Sequence, residues 1–167
     1  YKAASKGNYD IYVVFVEKAL SLLNITGRLG FILPHKFFNA QYGEPLRGVI
    51  SAGKHLAKVV HFGDQQVFEN ATTYTCLMFL EKTGCKSAEI ETVQDLQSWR
   101  LGVSGLTGLI DATKIDNLVW NFVIGSESGL CERMALMPVK LGNIASRIFQ
   151  GLKTGADPVF ILDELEN

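Results

Sequence analysis

The sequence lacks the features that mark a membrane protein, a secreted protein or a disulfide-stapled fold. No apolar run approaches the roughly 20 residues of a membrane-spanning helix, and no charged stretch followed by an apolar core marks a secretion signal. The three cysteines, Cys76, Cys85 and Cys131, have no close pair spacing, which disfavours a disulfide framework or a zinc site. We therefore expect a protein of the reducing cytoplasm that contacts no membrane, with Cys76 in an apolar strand.

Positive charge is also scarce. The 167 residues carry 16 Lys and Arg against 17 Asp and Glu, a net charge of −1. Binding to nucleic acid through counterion release needs clustered Lys and Arg, so this balance disfavours tight autonomous binding of DNA or RNA. The hydrophobic share of 47% is typical of one moderate globular domain, with or without part of a neighbour. Because the chain opens at Tyr1 without a Met, we expect it to begin within a longer protein.

The first half of the chain has a helix followed by a strand. Apolar residues recur at helical spacing from Ile11 to Leu23, after Asn8 as a candidate cap, and predict a helix with Phe15 on its core face. The apolar run 28–34 is too short for a helix. It predicts a strand covered on both faces in a parallel sheet and ended by Pro34, which cannot donate to a sheet ladder.

The later elements are predicted from turn residues and short apolar runs. Glu44 and Pro45 open a second helix that Gly53 ends. Strands are expected near 59–62, 73–79 and, as a sheet edge, 88–93, whereas 102–108 has a loop-like composition. Further along, the pattern predicts a linker at Met137–Pro138, an amphipathic helix over 141–149 and a strand at 159–162.

Phe68 lies in a polar loop between two of the predicted strands. Its neighbours are Gln65, Gln66, Glu69 and Asn70, so no helical or strand period pairs its ring with the core. One interpretation is a hydrophobic plug that holds the loop to the core, and composition alone favours it. The other is a platform for a planar ligand, since an aromatic face that stacks on a nucleobase contributes about 1–3 kcal/mol.

Five segments follow one another in a characteristic order: Tyr9–Leu20, Gly27–Pro34, Leu46–Arg47, Val67–Phe68 with the strand after it, and Leu141–Ile144 with Gly151–Gly155 and Val159–Phe160. Together they resemble the γ-class N6-adenine DNA methyltransferases, including the methylase portion of type II restriction-modification enzymes. The resemblance implies an α/β fold, namely the C-terminal half of a Rossmann-like S-adenosylmethionine-dependent methyltransferase domain. It assigns residues 1–92 to that half, 93–138 to a connecting segment and 139–167 to the start of a truncated target-recognition domain.

The resemblance also implies roles for individual residues. Phe15 matches the aromatic residue that packs against the adenine ring of S-adenosylmethionine, and Pro34 would border the cofactor and target cleft. Phe68 matches the aromatic residue that stacks on the flipped-out target adenine. Contacts with double-stranded DNA would fall to Lys36, Lys153 and Thr154.

Two motifs of the family do not occur in these 167 residues: the glycine-rich cofactor loop and the catalytic Asn-Pro-Pro-Tyr. We therefore expect no catalytic residue and no metal site in this piece, and no activity from it alone. The parent is expected to methylate adenine N6 in DNA, in a bacterial or archaeal cytoplasm, and the sequence leaves open whether a nuclease domain is fused to it. Two alternatives stay open: a non-catalytic DNA-binding or specificity subunit with the same fold, and a methyltransferase that acts on RNA or protein.

Overall fold

The computed structural model describes residues 1–69, 73–125 and 128–147. The chain divides into two compact units, residues 1–130 and 131–167. The helices are α1 (Tyr12–Leu22), α2 (Glu44–Ala52), α3 (Leu96–Arg100), α4 (Ser128–Ala135) and α5 (Leu141–Ile144). The strands are β1 (Arg28–Pro34), β2 (Leu56–His61), β3 (Thr75–Glu81), β4 (Ser87–Thr92) and β5 (Leu106–Asp111). Among the described residues, no helix has the length and apolar character to cross a membrane.

The five strands form one mixed sheet in the order β1-β3-β2-β4-β5. Strand β3 is antiparallel to β1 and β2, β2 is parallel to β4, and β5 is antiparallel to β4. Strands β1, β2 and β4 therefore run in one direction, and their carboxyl ends lie at the same edge of the sheet. The amino end of β3 joins them there, with Thr75 opposite Pro34 and Cys76 opposite His61. We call this side the carboxyl edge.

The main core lies between the sheet and helices α1 and α2. Side chains of a strand alternate between its faces, so neighbours Val59 and Val60 point to opposite sides. Val59 packs in the main core with Val16 of α1 and Ile50 of α2. Val60 belongs to a smaller cluster on the opposite face, whose members come from β2, β3, the segments after β2 and β4, and α3: Val60, Phe62, Val67, Leu77, Val93, Leu96 and Trp99.

Local sequence signals predicted α2 and the bounds of β1 correctly. Helix α2 begins at Glu44, carries Pro45 in its first turn and is followed by Gly53. Strand β1 ends at Pro34 as expected. Cys76 is fully buried in β3, which confirms its place in an apolar strand. The prediction of a mixed α/β architecture is likewise confirmed.

The predicted environment of β1 is wrong. Strand β1 pairs only with β3 in the described sheet, in the antiparallel sense, and Leu33 is its buried residue. Gly30 faces the ring of Phe79, two atoms of which lie 3.1 Å from the position that a Cβ at residue 30 would take. Among the described residues, β1 therefore has one neighbouring strand, and much of it is uncovered.

The predicted core face of α1 is also wrong. Phe15 is 57% exposed and Ile11 is 59% exposed, whereas Val13, Val16 and Leu20 are buried. Helix α1 carries apolar side chains on two opposed faces, so the helical period cannot select the face that meets the sheet.

The structure differs from three further predictions, which concern β4, the segment 102–108 and α5. Strand β4 is not an edge, because β5 pairs with it, and β5 begins inside the segment 102–108 that was expected to be a loop. Helix α5 ends at Ile144 rather than continuing through the predicted amphipathic segment. The strand predicted at 159–162 lies outside the described residues.

Candidate functional site

A cavity of about 500 Å³ opens at the carboxyl edge, where β1 ends and β3 begins. Ligands of open α/β sheets bind beyond the carboxyl ends of the strands, so this is the expected place for a site. Its lining mixes aromatic, amide and charged side chains: Asp10, Pro34, His35, Lys36, Asn39, Tyr42, Thr73 and Tyr74. The cavity therefore offers flat surfaces together with hydrogen-bonding groups.

A stack of three rings forms one wall of this region. The imidazole of His35 lies 4.5 Å from that of His61, centroid to centroid, at an interplanar angle of 20°. The imidazole of His35 also stacks on the ring of Tyr74, with centroids 6.2 Å apart and an interplanar angle of 15°. The backbone N–H of His35 donates to the carbonyl of Tyr74 at 3.2 Å. The stack thus joins the loop after β1 to the end of β2 and the start of β3.

Both stacked histidines are held in the neutral form. Nδ1 of His61 accepts a hydrogen bond from the backbone N–H of Gly63 at 2.9 Å, so the proton of the neutral ring is on Nε2. Burial, together with the neighbouring His35, lowers the pKa of His61 to about 4. Burial also lowers the pKa of His35, against a smaller opposing effect of the Thr75 backbone. The stack is consequently uncharged at neutral pH.

Arg47 fixes the loop that follows β1. Its side chain, on α2, is 3% exposed, and Nη1 donates to the carbonyls of Phe37 and, at 3.0 Å, Ala40. Its Nε donates to the carbonyl of Asn117 at 3.0 Å. The loop passes so close that a Cβ at Gly43 would lie 2.1 Å from the Phe37 carbonyl oxygen. Glycine is therefore required there for the approach of backbone to backbone.

The sequence predicted Arg47 to lie in a helix but did not predict its hydrogen bonds to loop carbonyls. The available signal was its position, since it adjoins Leu46 and lies three residues before Ile50, both of which are fully buried. A guanidinium on an inward helix face needs several acceptors close by, and loop carbonyls are the commonest source of them.

The structure places the two apolar residues of this loop in different environments. The side chain of Val67 packs in the smaller cluster on the face opposite α1 and α2. The ring of Phe68 is 49% exposed. Val67 is thus the plug that holds the loop, and Phe68 is presented to the surroundings.

Of the other predicted site residues, the structure describes Pro34, Lys36 and Phe15. Pro34 and the exposed Lys36 both line the cavity at the carboxyl edge. Phe15 lies on the exposed face of α1 and does not line that cavity. Lys153 and Thr154 lie outside the described residues.

A larger cavity, of about 730 Å³, lies beside Gly53 and His55 at the opposite edge. Two of its charged lining residues are already engaged, because Lys82 Nζ donates to the carbonyl of Leu20 at 2.8 Å and Glu17 accepts from the backbone N–H of Ala3 at 2.7 Å. Over the part of the chain that is described, no group of three or more His, Cys, Asp or Glu side chains is arranged to hold a metal ion.

Comparison with solved structures shows which folds this chain resembles. It superimposes on the type IIG restriction endonuclease BpuSI with a TM-score of 0.60 over 79% of this chain and 18% of that one, at 12% identity. A chain of a type I restriction-modification system gives a TM-score of 0.51 over 78% of this chain and 38% of that one, also at 12% identity.

Comparison with known sequences shows which restriction-modification proteins this chain is similar to. Residues 1–68 match the family described as Eco57I restriction-modification methylase. The type II restriction enzyme and methyltransferase RM.Eco57I of Escherichia coli is 34% identical over 100% of this chain and 17% of its own length. The type II methyltransferase M.PaeR7I of Pseudomonas aeruginosa is 26% identical over 92% of this chain and 29% of its own length. The resemblance predicted from the ordered motifs is confirmed, and the chain spans less than a third of these two relatives.

Proposed function

We propose that this chain is one part of a site-specific DNA methyltransferase of a restriction-modification system, and that the whole enzyme methylates N6 of adenine. The observation that carries the proposal is the contrast between residues 67 and 68. Val67 packs against the smaller core cluster, whereas the ring of Phe68 is exposed to solvent. An exposed aromatic ring held by a partly buried neighbour is an arrangement suited to base stacking. The restriction-modification relatives supply the reaction class.

The chemistry requires the target base to leave the duplex. The exocyclic N6 of a paired adenine is engaged in the base pair and cannot meet a methyl donor in line, so the nucleotide has to be extruded. The exposed face of Phe68 would hold the extruded adenine by stacking. The acceptors that position N6 would come from an Asn-Pro-Pro-Tyr motif elsewhere in the whole protein, with its Tyr on the opposite side of the base.

The residues present fit one wall of a methyl-donor site. S-adenosylmethionine supplies a methyl group on a sulfonium that nitrogen can attack directly. Phe15 is suited to pack against the adenine ring of that cofactor, because its ring is exposed on α1 instead of buried in the core. Pro34 ends β1 at the cavity, which Phe15 does not line, and would border the cofactor and target cleft there. The glycine-rich loop that cradles such a cofactor would come from outside this chain.

DNA contacts are assigned to residues at and beyond the carboxyl edge. Lys36 is exposed at the cavity and would pair with a phosphate next to the extruded base. Lys153 and Thr154 would reach the duplex from the target-recognition domain that we place at 139–167, after methyltransferase residues 1–92 and the connecting segment 93–138. The net charge of −1 indicates that most phosphate contacts belong to other parts of the whole protein.

The setting of the whole protein follows from the same proposal. We place it in a bacterial or archaeal cytoplasm, where restriction-modification enzymes meet DNA. A fused nuclease domain is proposed because the name of RM.Eco57I joins a restriction enzyme to a methyltransferase.

The decisive experiment is product analysis with the intact protein. Unmethylated bacterial DNA is incubated with S-adenosylmethionine that carries a labelled methyl group, and the DNA is digested to nucleosides. We expect label in N6-methyldeoxyadenosine. Label in a cytosine product would contradict the adenine assignment. DNA binding without any methyl transfer would favour the non-catalytic subunit. Methyl transfer to RNA or protein that is not reduced by added duplex DNA would show that RNA or protein is the substrate.

A further inference from the structure

We propose that Gln65 and Arg100 are positioning residues for Phe68: they tie its loop to α3, so that the ring is held in place before the target base arrives. The proposal rests on the proposed function, because it takes Phe68 as the stacking residue. It extends that function to a segment after β4 to which neither the motifs nor the relatives assign a task.

Gln65 joins the segment after β2 to the segment after β4. Its Nε2 donates to the carbonyl of Phe62 at 3.3 Å and to that of Val93 at 2.8 Å. Its Oε1 accepts from the backbone N–H of Leu96, the first residue of α3, at 2.7 Å. One half-buried amide thus satisfies three backbone groups on two segments that are about 30 residues apart in sequence.

Arg100 holds the peptide group next to the stacking ring. Its Nη2 donates to the carbonyl of Val67 at 2.8 Å. That carbonyl belongs to the planar peptide unit between residues 67 and 68, so fixing it restricts the direction in which Phe68 leaves the backbone. The side chain of Val67 adds an apolar contact to the same cluster that contains Leu96.

Helix α3 needs external support to serve as an anchor, because five residues are too few to form a stable helix alone. Asp95 caps it by accepting from the backbone N–H of Ser98 at 2.7 Å. The indole of Trp99 donates to Oε1 of Glu91 on β4 at 2.9 Å. Its ring meets that of Phe62 edge to face, with centroids 5.1 Å apart.

Glu91 connects this anchor to the centre of the sheet. It is 6% exposed, and its second oxygen accepts from Nζ of Lys58 on β2 at 2.9 Å. A continuous set of contacts therefore runs from β2 and β4 through Trp99 and α3 to the Phe68 peptide. A ring that is already ordered loses less conformational entropy when a base stacks on it.

The test uses the intact protein and the steady-state KM for duplex DNA. Gln65→Ala should raise this KM about five- to tenfold, the loss expected for a positioning network of about 1 kcal/mol, with kcat and the affinity for S-adenosylmethionine nearly unchanged. The matched control is Gln66→Ala. Gln66 is exposed, and within the described ranges its side chain has no hydrogen bond, so KM should stay at the wild-type value.

Arg100 provides a second variant on the protein surface, where folding is not at risk. Arg100→Ala should raise the KM for DNA by a smaller factor, about two- to threefold, because the bond to Val67 is exposed. Arg100→Lys retains a cationic donor and should recover part of the loss. An effect of Arg100→Ala that persists when Phe68 is already replaced by Ala would show a direct contact of the arginine with DNA, and would overturn the role of Arg100 in positioning the ring.

A double-mutant cycle separates positioning from general stabilisation. With Phe68 already replaced by Ala, adding Gln65→Ala should not raise KM further. Additive effects would overturn the proposal, as would a Gln65→Ala variant that melts earlier with an unchanged KM. If Phe68→Ala raises KM and Gln65→Ala does not, positioning is wrong and the proposed function stands. If Phe68→Ala itself has no effect, the stacking role of Phe68 fails, and with it the reason for this proposal.

Discussion

Two loops meet at the carboxyl edge, and they are held in different ways. The loop after β1 is held by a buried charged donor, Arg47, which reaches two of its carbonyls. The loop after β2 is held by the neutral amide of Gln65 and by the exposed Arg100. Hydrogen bonds from charged donors contribute more than neutral ones, and buried groups cost more to leave unpaired. The loop after β1, residues 35–43, is therefore the more rigid of the two, and we call it the floor. The loop that carries Phe68 opens locally at a lower free-energy cost.

The largest expected effect comes from removing the donor of the floor. Arg47→Met keeps much of the side-chain volume and leaves three carbonyl oxygens without their partner. The free energy of local opening over residues 35–43, measured by hydrogen exchange, should fall by about 3–5 kcal/mol.

The matched control is a surface arginine. The side chain of Arg28 is 77% exposed and pairs with Glu81 at 2.9 Å. Arg28→Met should cost at most about 1 kcal/mol, the usual size for an exposed ion pair. Equal losses from the two variants would mean that burial of Arg47 does not distinguish the floor from the rest of the surface.

A smaller effect is expected on the side of the Phe68 loop. Glu91→Ala deprives the Trp99 indole and the backbone N–H of Gly105 of their acceptor. Protection of residues 96–105 against hydrogen exchange should fall by about 2–3 kcal/mol, and that of 62–69 should fall with it if α3 supports the loop.

Glu89 offers a control that shares the same lysine. It pairs with Lys58 at 2.8 Å, but its side chain is 43% exposed. Glu89→Ala should lower protection by at most about 1 kcal/mol. A larger loss from Glu89→Ala than from Glu91→Ala would contradict the importance of the buried carboxylate.

The smallest effect concerns pH and the stack that joins the two loops. Because burial depresses the pKa of His61 to about 4, the unfolded chain binds a proton below its ordinary pKa of about 6.5 and the folded chain does not. The contribution of neutral His61 to the free energy of unfolding is therefore fully present above pH 6.5 and is lost as the pH falls toward 4.

His61→Phe retains a ring for the stack and removes the titrating group. The variant also loses the acceptor of the Gly63 N–H, so it should be less stable than the wild type at pH 7. Between pH 7 and pH 5, however, its urea midpoint should fall less than that of the wild type. An identical fall in both proteins would show that His61 does not titrate with a depressed pKa. Burial also lowers the pKa of His35, and this residue is present in both proteins.

The parts of the fold that sequence predicted are those that depend on neighbouring residues. Helix α2 is defined by Pro45 in its first turn and by Gly53 after its end, and both signals act locally. The position of β4 inside the sheet depends instead on pairing with β5, a contact between segments that periodicity does not record. The buried face of α1 could not be selected because both of its faces carry apolar residues.

The candidate site was predicted in its residue types more than in its supports. A phenylalanine among polar neighbours indicated a special role for Phe68, but the choice between plug and platform needed the side-chain packing of Val67. Gln65 resembled any loop glutamine in the sequence, and its three partners come together only through the fold. The roles of Phe15, Pro34, Lys36, Phe68 and the residues beyond 147 stay predictions.

Stacking of Phe68 on an extruded adenine is the claim on which the proposed function depends, and the most direct measurement is the KM of the intact protein for duplex DNA. Phe68→Ala should raise it about 5- to 150-fold, the equivalent of about 1–3 kcal/mol, with little change in the affinity for S-adenosylmethionine. Phe79, a half-exposed ring on β3 beside Gly30, provides the control, and Phe79→Ala should leave KM near the wild-type value. An unchanged KM in Phe68→Ala, or an equal rise in both variants, would contradict the stacking role.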